Sequence, residues 1–326
     1  DGYIQYFTIR GKGKGIANTS CTLNNLTNAF IKDCRMMNAS VGAALVWSSS
    51  IVDQCIITNV STGFLTVCAI DTCNPIIQNS VIVVNNSEDN AIEWGDLGSN
   101  KALNNVVIGN RNSIGGIGVV FSVTNSVILN NIVNEFDYNV IGTANDTAIV
   151  HNNISVNGIE RGFTINALTG MRNNIIAKNE IGLVYPTVTS SDYNLYWHNN
   201  TNTTDQLSEH DIVADPMFVN DTIPVYGGTY DYHLQKYSPA IDAGDPNILD
   251  VDGTRSDIGA YGGVLGQSYK YQDLPPKAPQ NFQASYDSGV VTVSWDKNSA
   301  ADFSYYNIYR STINNFEPDS TTYYSI

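Results

Sequence analysis

A seven-residue phrase that returns five times between residues 79 and 179 constrains the fold of this chain more than any other feature. The five copies are NSVIVVN, NNVVIGN, NSVILNN, NNISVNG and NNIIAKN, which begin at residues 79, 104, 125, 152 and 173. Two weaker copies, KDCRMMN and DQCIITN, begin at residues 32 and 53. Successive copies start 21, 26, 25, 21, 27 and 21 residues apart. Such a period is typical of a solenoid, a propeller or another repeat array.

Two apolar columns inside the phrase indicate short strands. The third position is occupied by Cys34, Cys55, Val81, Val106, Val127, Ile154 and Ile175, and the fifth by Met36, Ile57, Val83, Ile108, Leu129, Val156 and Ala177. Residues two apart in a strand point to the same face. We therefore expect both columns to fill a shared interior, with Val81, Val106 and Val127 stacked on one another.

The seventh position of the phrase is Asn in six of the seven copies. Asn tolerates the left-handed backbone conformation and bonds its own backbone in turns, and identical amides one strand spacing apart can bond each other. We therefore predict a column of stacked turn asparagines that lines one corner of the repeat.

The period excludes several repeat folds. It is too short for a propeller blade, and the phrase has neither the helical pattern of ankyrin and tetratricopeptide repeats nor the leucine-rich signature. A second apolar strand follows most copies, at residues 42–47, 63–67, 91–94, 117–121, 162–165 and 181–185. These features predict coils of two or three short strands, each stacked about 4.8 Å from the next.

Over about residues 1–265 the chain resembles the right-handed parallel β-helix proteins of the pectate-lyase-like superfamily. The resemblance implies an all-β solenoid. It leaves the activity open, because that group includes carbohydrate-active enzymes alongside many surface proteins, and one scaffold hosts many functions.

Three later segments, SSDYNLYWHN (190–199), DIVADPMFVN (211–220) and residues 230–263, resemble the closing section of secreted bacterial β-helix proteins. This resemblance implies a terminal cap at about 190–265 and a secreted or cell-surface location. Such a cap would cover the strand edges and core at the open end of the solenoid.

A proline-marked segment, PPKAPQNF (275–282), follows the cap, and we place a linker at 266–279. Residues 280–326, with Trp295 in one alternating stretch and Tyr306, Ile308 and Tyr309 in the next, resemble the first half of a fibronectin type III sandwich. That fold takes roughly 100 residues, so a partial domain of a longer chain is expected.

The composition restricts the partners. Charged residues make up 14% of the chain and the formal net charge is −15, which argues against nucleic acid or an anionic membrane as partner. Binding of cations or neutral glycans remains compatible with this charge. No apolar run reaches the roughly 18 residues that a membrane span needs, and we expect no span in this segment.

All five cysteines lie in the first quarter, at positions 21, 34, 55, 68 and 73. Cys34 and Cys55 share a column, which suits either a disulfide between consecutive coils or stacked buried thiols. Cys68 and Cys73 flank a short loop and could close a small ring. None of the four histidines lies in that quarter, so zinc is not expected there.

The predicted cap contains a candidate calcium site made of Asp242, Asp245, Asp250, Asp252 and Asp257. Its Asp-Val-Asp-Gly stretch resembles the opening of a calcium loop, but no Glu occupies the twelfth position. The alternative is that Asp252 and Asp257 pair with Arg255 and cap turns.

Two classes of function remain. An enzyme would cleave polysaccharide in a lateral groove, either by hydrolysis, which needs two carboxyl groups about 5 to 9.5 Å apart, or by elimination, which needs a base and a cation. The candidate catalytic residues are Glu93, Asp96, Glu135, Asp137, Glu160 and Arg161. Glu93, Glu135 and Glu160 lie 14, 10 and 8 residues after their phrase starts, so they need not face one groove, and solvated loop charges are the alternative.

A noncatalytic module would serve as a stiff spacer or adhesive surface. Its candidate sugar-stacking residues are Trp47, Trp94, Tyr196 and Trp197, although such rings also pack in cores and rims. Because few charged residues align along the repeat, we favour a structural or adhesive module of an extracellular bacterial protein that contacts glycans. A polysaccharide lyase or glycoside hydrolase is the alternative.

Overall fold

The computed structural model describes residues 2–5, 8–10, 21–24, 29–38, 41–46, 49–67, 74–84, 90–94, 99–110, 115–121, 125–142, 148–165, 170–184, 191–222 and 229–324. These residues form strands, turns and bends, and no helix. Trp47, Cys68, Cys73 and Asp96 lie outside the described residues. The chain divides into two compact units, Asp1–Gln272 and Asp273–Ile326, and the boundary falls within the expected linker.

The first unit is a parallel β-helix in which three parallel sheets run along the stack. Strands are numbered β1 to β34 in chain order. Sheet A contains β1 (Gly2–Gln5), β4 (Ala29–Lys32), β7 (Ile51–Asp53), β10 (Ile76–Gln78), β13 (Lys101–Leu103), β16 (Val127–Leu129), β19 (Ile149–His151), β22 (Gly170–Arg172) and β25 (Ser191–Asp192). Sheet B contains β2 (Thr8–Arg10), β5 (Arg35–Met37), β8 (Ile56–Val60), β11 (Val81–Val84), β14 (Val106–Ile108), β17 (Ile132–Asn134), β20 (Ile154–Val156), β23 (Ile175–Ala177), β26 (Leu195–Trp197) and β28 (Ile212–Val213). Sheet C contains β3 (Cys21–Asn24), β6 (Val41–Val46), β9 (Thr62–Val67), β12 (Asn90–Trp94), β15 (Ile117–Phe121), β18 (Tyr138–Gly142), β21 (Arg161–Ile165), β24 (Ile181–Val184) and β27 (Thr201–Thr203).

The expected parallel solenoid is confirmed, and so are the second strands, which form sheet C. The face assigned to the phrase is wrong for the copies at 79, 104, 152 and 173. In the last two copies Ile154 and Ile175 are buried, but on the outer face of sheet B beneath the terminal segment and not in the shared interior. Val81 pairs with Val106 as expected, but both are half-buried on the outer face, and the strand centres Ile82 and Val107 fill the core. In the two weaker copies Cys34, Met36, Cys55 and Ile57 are buried as predicted.

The expected stacking of Val127 on Val106 is also wrong. Val127 lies in sheet A, between Lys101 and Ile149, and Val106 pairs with Ile132 in sheet B. The strand of the copy at 125 therefore lies in sheet A, before the corner between sheets A and B. The strands of the other copies lie in sheet B, after that corner. An Asn pair beside Val-Ile-Leu looks the same to a pattern search on either side of a turn.

An internal amide ladder runs through the corner between sheets A and B. At each step one Asn side-chain oxygen accepts hydrogen bonds from the backbone N and side-chain Nδ2 of the Asn one coil before it, at 2.9–3.1 Å. The four steps join Asn105, Asn131, Asn153, Asn174 and Asn194. Since unpaired buried amides are costly, the ladder fixes the register of neighbouring coils.

The residue before each ladder residue, and the equivalent residue on three earlier coils, has a left-handed backbone and bends the chain out of sheet A. Its φ angle is 50° to 60° at Asp33, Gln54, Asn79, Asn104, Asn130, Asn152, Asn173 and Tyr193. An Asn-Asn pair therefore places one amide in the bend and the next in the ladder. The predicted single column at the seventh position is divided, because Asn131 belongs to this ladder and Asn179 to a second one between sheets B and C.

The terminal segment of residues 215–222 and 229–272, called the cap below, covers the outer face of the late strands of sheet B. Its Phe218, Tyr232 and Ile258 are buried against Ile154 and Ile175. Gly259 has φ +110°, and a Cβ there would lie 2.7 Å from Cδ1 of Ile175, so only glycine fits this close approach. The sheets continue through residues 191–213, which the sequence analysis assigned to the cap.

The two described cysteine side chains, Cys34 and Cys55, are buried thiols on consecutive coils and form no disulfide, which matches the stacked-thiol alternative. Cys34 donates to the Lys32 carbonyl oxygen at 3.2 Å, and Cys55 donates to the Asp53 carbonyl oxygen at 3.3 Å. Burial raises the pKa of Cys55 to about 12, so this thiol is unreactive at neutral pH.

The second unit contains two antiparallel strand pairs. Strand β31 (Gln283–Asp287) pairs with β32 (Val290–Ser294), and β33 (Ile308–Tyr309) pairs with β34 (Tyr323–Tyr324). Ser288 and Gly289 have φ 49° and 89°, which suits a tight hairpin turn. Every residue of β31 and β32 is exposed.

Candidate functional site: a groove at the corner of sheets B and C

A groove of about 550 Å³ lies at the corner where sheet B passes into sheet C. It crosses three consecutive coils, those of β20–β21, β23–β24 and β26–β27. Its lining residues are Gly158, Ile159, Lys178, Asn179, Glu180, His198, Asn199 and Asn200. The volume is within the range of ligand pockets.

The groove is shaped by a column of left-handed residues and a second amide ladder. Lys178 and His198 have φ 58° and 49°, and the Lys178 backbone N donates to the Trp197 carbonyl oxygen at 2.9 Å. Asn199 Oδ1 accepts from the backbone N and Nδ2 of Asn179, both at 3.0 Å. The ladder holds the backbone of the three coils in fixed positions, which pre-forms the groove.

A carboxylate column follows the corner, with one residue on each coil. Backbone hydrogen bonds from Arg161 to Asp137, from Ile181 to Glu160 and from Thr201 to Glu180, at 2.9–3.0 Å, place the successive acceptors over one another. Glu160 and Glu180 are exposed on neighbouring coils, and Asp137 is buried. Glu180 lines the groove, and Glu160 directly follows its lining residue Ile159.

Each carboxylate in this column has a neutral hydrogen-bond donor. The Tyr138 hydroxyl donates to Glu160, and this bond raises the pKa of Tyr138. Asn200 Nδ2 donates to Glu180 Oε2 at 2.5 Å. The Asp137 carboxylate accepts from the backbone N of Gly115.

The basic side chains of this region each contact a neighbouring residue. Lys178 Nζ lies 2.8 Å from Asp221 Oδ2 and donates to the Asp221 carbonyl oxygen at 3.2 Å, which joins the groove to the cap. The Arg161 guanidinium lies 5.3 Å from the centre of the Tyr138 ring. His198 stacks on Trp197, with ring centroids 4.1 Å apart.

The structure brings together only part of the predicted catalytic set. Asp137, Glu160 and Arg161 lie in the carboxylate column or beside it. Glu135 accepts from the Tyr230 hydroxyl of the cap at 2.8 Å. Glu93 lies in β12 and accepts from Asn90 Nδ2 at 3.0 Å, several coils from the groove, so it shares no groove with Glu160.

Two of the predicted sugar-stacking rings are in the core. Trp94 and Tyr196 are 2% and 1% exposed, so neither ring has a free face for a sugar. Trp197 is half-buried between the cap and His198, which leaves His198 and the exposed Ile159 as the less polar surface of the groove.

Four of the five aspartates of the candidate calcium site accept hydrogen bonds or form an ion pair within the protein. Asp245 pairs with Arg172 at 2.8 Å, Asp250 accepts from the backbone N of Asp257 at 3.1 Å, and Asp252 accepts from Thr254. The Asp257 carboxylate accepts from the backbone N of Asp242 at 2.9 Å. In the described part of the chain, no group of three or more His, Cys, Asp or Glu side chains is arranged to hold a metal ion.

The alternative for the cap aspartates is half right. Asp252 accepts from the backbone N of Thr254 in its own turn, and Asp257 accepts from the backbone N of Asp242 in another turn. Arg255 donates instead to the carbonyl oxygens of Gly244 and Ala243, at 2.5 and 3.2 Å.

Sequence reasoning missed Lys178, Glu180, His198 and Asn200. A correct alignment of the Asn-Asn pairs would have found them, because each lies at a fixed offset after the pair at 173–174 or after Asn194. Lys178 is four residues after Asn174, and His198 is four after Asn194. The misaligned copy at 125 obscured this regularity.

Compared with protein-family models, with curated proteins and with solved structures, the chain matches none of them. Among the described residues no helix is long and apolar enough to cross a membrane.

Proposed function

We propose that the solenoid is a structural or adhesive module of a secreted or cell-surface bacterial protein and that it contacts glycans through the groove of residues 158–159, 178–180 and 198–200. The parallel β-helix supports the structural part, because stacked coils and an internal amide ladder give a stiff body. The resemblance to pectate-lyase-like proteins, the fibronectin type III resemblance of residues 280–326 and calcium binding by the cap are parts of the same proposal.

The observation that carries the glycan contact is the chemistry of the groove. It presents a carboxylate and carboxamides beside the apolar Ile159 and the His198 ring. Sugar hydroxyls both donate and accept hydrogen bonds, while the C–H face of a pyranose prefers apolar surface. A pre-formed site with a few placed polar groups suits such a ligand.

The test is calorimetric titration of the full chain with soluble oligosaccharides, before and after removal of one hydrogen-bonded pair. The double change Glu180→Ala with Asn200→Ala should lower affinity about tenfold or more, since each lost hydrogen bond costs on the order of 1 kcal/mol. Glu93 and Asn90 form the same kind of pair outside the groove, and their double alanine variant is the matched control. Equal losses in both variants, or an unaltered affinity in the first, would contradict the proposal.

A second candidate, a glycoside hydrolase, is favoured by one observation. Glu160 and Glu180 follow one another on neighbouring coils, and a coil step of about 4.8 Å is close to the roughly 5 Å between the carboxyls of retaining glycosidases. If this is the function, Glu160→Gln and Glu180→Gln should each lower turnover of polysaccharide by about a hundredfold or more, with calcium present, and retain binding. Wild-type chain that binds oligosaccharide without releasing any reducing ends would exclude it.

A further inference from the structure

The groove has carboxylates without a matching free cation. Glu160 and Glu180 are exposed, and among the described residues no ion pair includes either of them. Lys178, the one ammonium group among the lining residues, is 2.8 Å from the carboxylate of Asp221. The local charge that a ligand meets is therefore negative at neutral pH.

This charge opposes an acidic ligand. A uronic acid unit placed in the groove would bring its carboxylate near Glu180 and its neighbour Glu160. The single positive charge of Arg161, which lies beside Glu160 and outside the groove lining, offsets only one of these two carboxylates. The net charge of −15 acts in the same direction at longer range. Capture of a uronate by Lys178 would require the Lys178–Asp221 ion pair to open, which is costly because the Asp221 carboxylate is buried.

The same groups suit uncharged hydroxyls. Glu180 keeps acceptor capacity beyond the bond from Asn200, since a carboxylate has two oxygens and about four lone-pair sites. The neighbouring Asn200 supplies both a donor and an acceptor. A pair of adjacent sugar hydroxyls can thus donate to the carboxylate and exchange a hydrogen bond with the amide, and the ring can lie against Ile159 and His198.

We infer that the groove selects neutral sugar units and rejects uronic acids. This inference rests on the proposed glycan contact and adds the ligand class to it. The selectivity arises from Glu180 and Glu160 on neighbouring coils and from the use of Lys178 by the cap.

The experiment measures affinity of the full chain for two panels of equal-length oligosaccharides. One panel contains neutral oligomers of glucose, mannose, galactose and N-acetylglucosamine, and the other contains oligomers of galacturonic, glucuronic and mannuronic acid. The best neutral oligomer should bind at least about tenfold more tightly than the best uronate. Glu180→Lys should acquire uronate binding that weakens with added salt, since exposed charges are screened.

Glu93→Lys is the matched control, because it alters the net charge equally but lies outside the groove. If wild-type chain binds a uronate as tightly as any neutral oligomer, the inference is overturned and the glycan contact survives. If Glu93→Lys acquires the same uronate binding as Glu180→Lys, the selectivity belongs to the overall charge and the inference is again overturned. If no oligosaccharide of either panel binds, the proposed function fails and the inference fails with it.

Discussion

The outer face of sheet B is half-exposed on the early coils and buried on the late coils, although both carry apolar residues at the same position. One column of side chains runs through Ile56, Val81, Val106, Ile132, Ile154, Ile175 and Leu195. Ile56, Val81 and Val106 are half-buried, while Ile154, Ile175 and Leu195 are at most 1% exposed. The difference comes from the cap, which buries the late coils, while Val106 lies at the edge of the covered region and packs against the same cluster.

The comparison shows that a repeat can use one apolar pattern for two purposes. On the early coils the outward Val and Ile residues contribute strand propensity and partial burial. On the late coils the same residues belong to a second core, which contains Phe218, Tyr232 and Ile258. The late half should therefore tolerate fewer changes on this face than the early half.

The largest expected effect separates two isoleucines of this column. Ile175→Ala should cost about 3 kcal/mol of unfolding free energy, because it leaves a cavity beneath the cap. Ile56→Ala, at the equivalent position on an uncovered strand, should cost about 1 kcal/mol. Denaturant unfolding of both variants, with hydrogen exchange to locate the opened region, measures the difference.

The readout must be local, because stability in a solenoid is roughly additive along the stack. Faster exchange in the cap and β23 is expected for Ile175→Ala, and faster exchange confined to β8 and its neighbours for Ile56→Ala. Equal costs at the two positions would show that the cap adds no stability to the late coils.

The sequence was sufficient for the architecture but not for the faces. A period near 22 residues and paired apolar columns predict stacked parallel strands, because only neighbouring coils can bury such short strands. Which column faces inward depends on which residue of the Asn-Asn pair forms the bend. A shift of one residue at this point exchanges the two faces of the following strand. For Ile154 and Ile175 the pattern gave burial correctly, but the partner lies some 80 residues further along the chain, in Ile258.

The groove was missed for a related reason. Lys178 and His198 are ordinary polar residues in the sequence, and they become neighbours only when the coils are aligned at the left-handed bend. Glu160 was a candidate, but its partner Glu180 was missed because no pattern within one coil marks it. Trp94 and Tyr196 show the opposite error, because they were candidates for sugar stacking and are buried. The sequence alone does not distinguish an exposed aromatic ring from one in the core.

Two lysines test the polar contacts of the covered and uncovered halves. Lys178→Met should cost about 2 kcal/mol, because it leaves the Asp221 carboxylate, 6% exposed, without its cation; the figure is kept low because the lysine is itself partly solvated. Lys32→Met should cost less than about 0.5 kcal/mol. The Lys32 ammonium is 3.9 Å from Asp53, and Asp53 keeps hydrogen bonds from Gln78 and Asn79.

Thermal unfolding of the two methionine variants gives the comparison, and exchange of the cap amides shows whether the Lys178 change acts there. A loss for Lys32→Met as large as that for Lys178→Met would mean that the cap contact is no stronger than a surface pair.

Two bend asparagines give a smaller difference. Asn152→Gly should cost about 1 kcal/mol, because Asn152 Nδ2 donates to Ser256 Oγ and to the Asp257 and Gly259 carbonyl oxygens of the cap. Asn104→Gly, in an uncovered coil with nearly the same φ of 54°, should lie within about 0.5 kcal/mol of wild type. Since glycine accepts positive φ, both variants keep the bend, and unfolding free energies isolate the amide contacts. Equal values for the pair would assign no role to these cap hydrogen bonds.

The smallest expected effect is a pH dependence that the cap introduces. Burial, together with the nearby Asp250 and Asp242 carboxylates, raises the pKa of Asp257 to about 6. Hydrogen bonds from the Asp242 backbone N and the Tyr271 hydroxyl lower this pKa but do not offset the burial. An unfolded Asp titrates near 3.9, so between about pH 4 and pH 6 the folded state holds the proton more tightly. The contribution of this group to stability is therefore fully present below pH 4 and is lost as the pH rises to about 6.

Asp257→Asn should remove this slope, and the difference in unfolding free energy between wild type and variant should change by about 1 kcal/mol across the window. The difference matters more than the total, because burial lowers the pKa of His151 to about 4 and its contribution falls in the opposite direction, as the pH drops from about 6.5. Carboxyl titration by NMR gives the Asp257 pKa directly. A value near 4, or parallel stability curves for the two proteins, would show that the cap leaves the late coils no more pH-sensitive than the early ones.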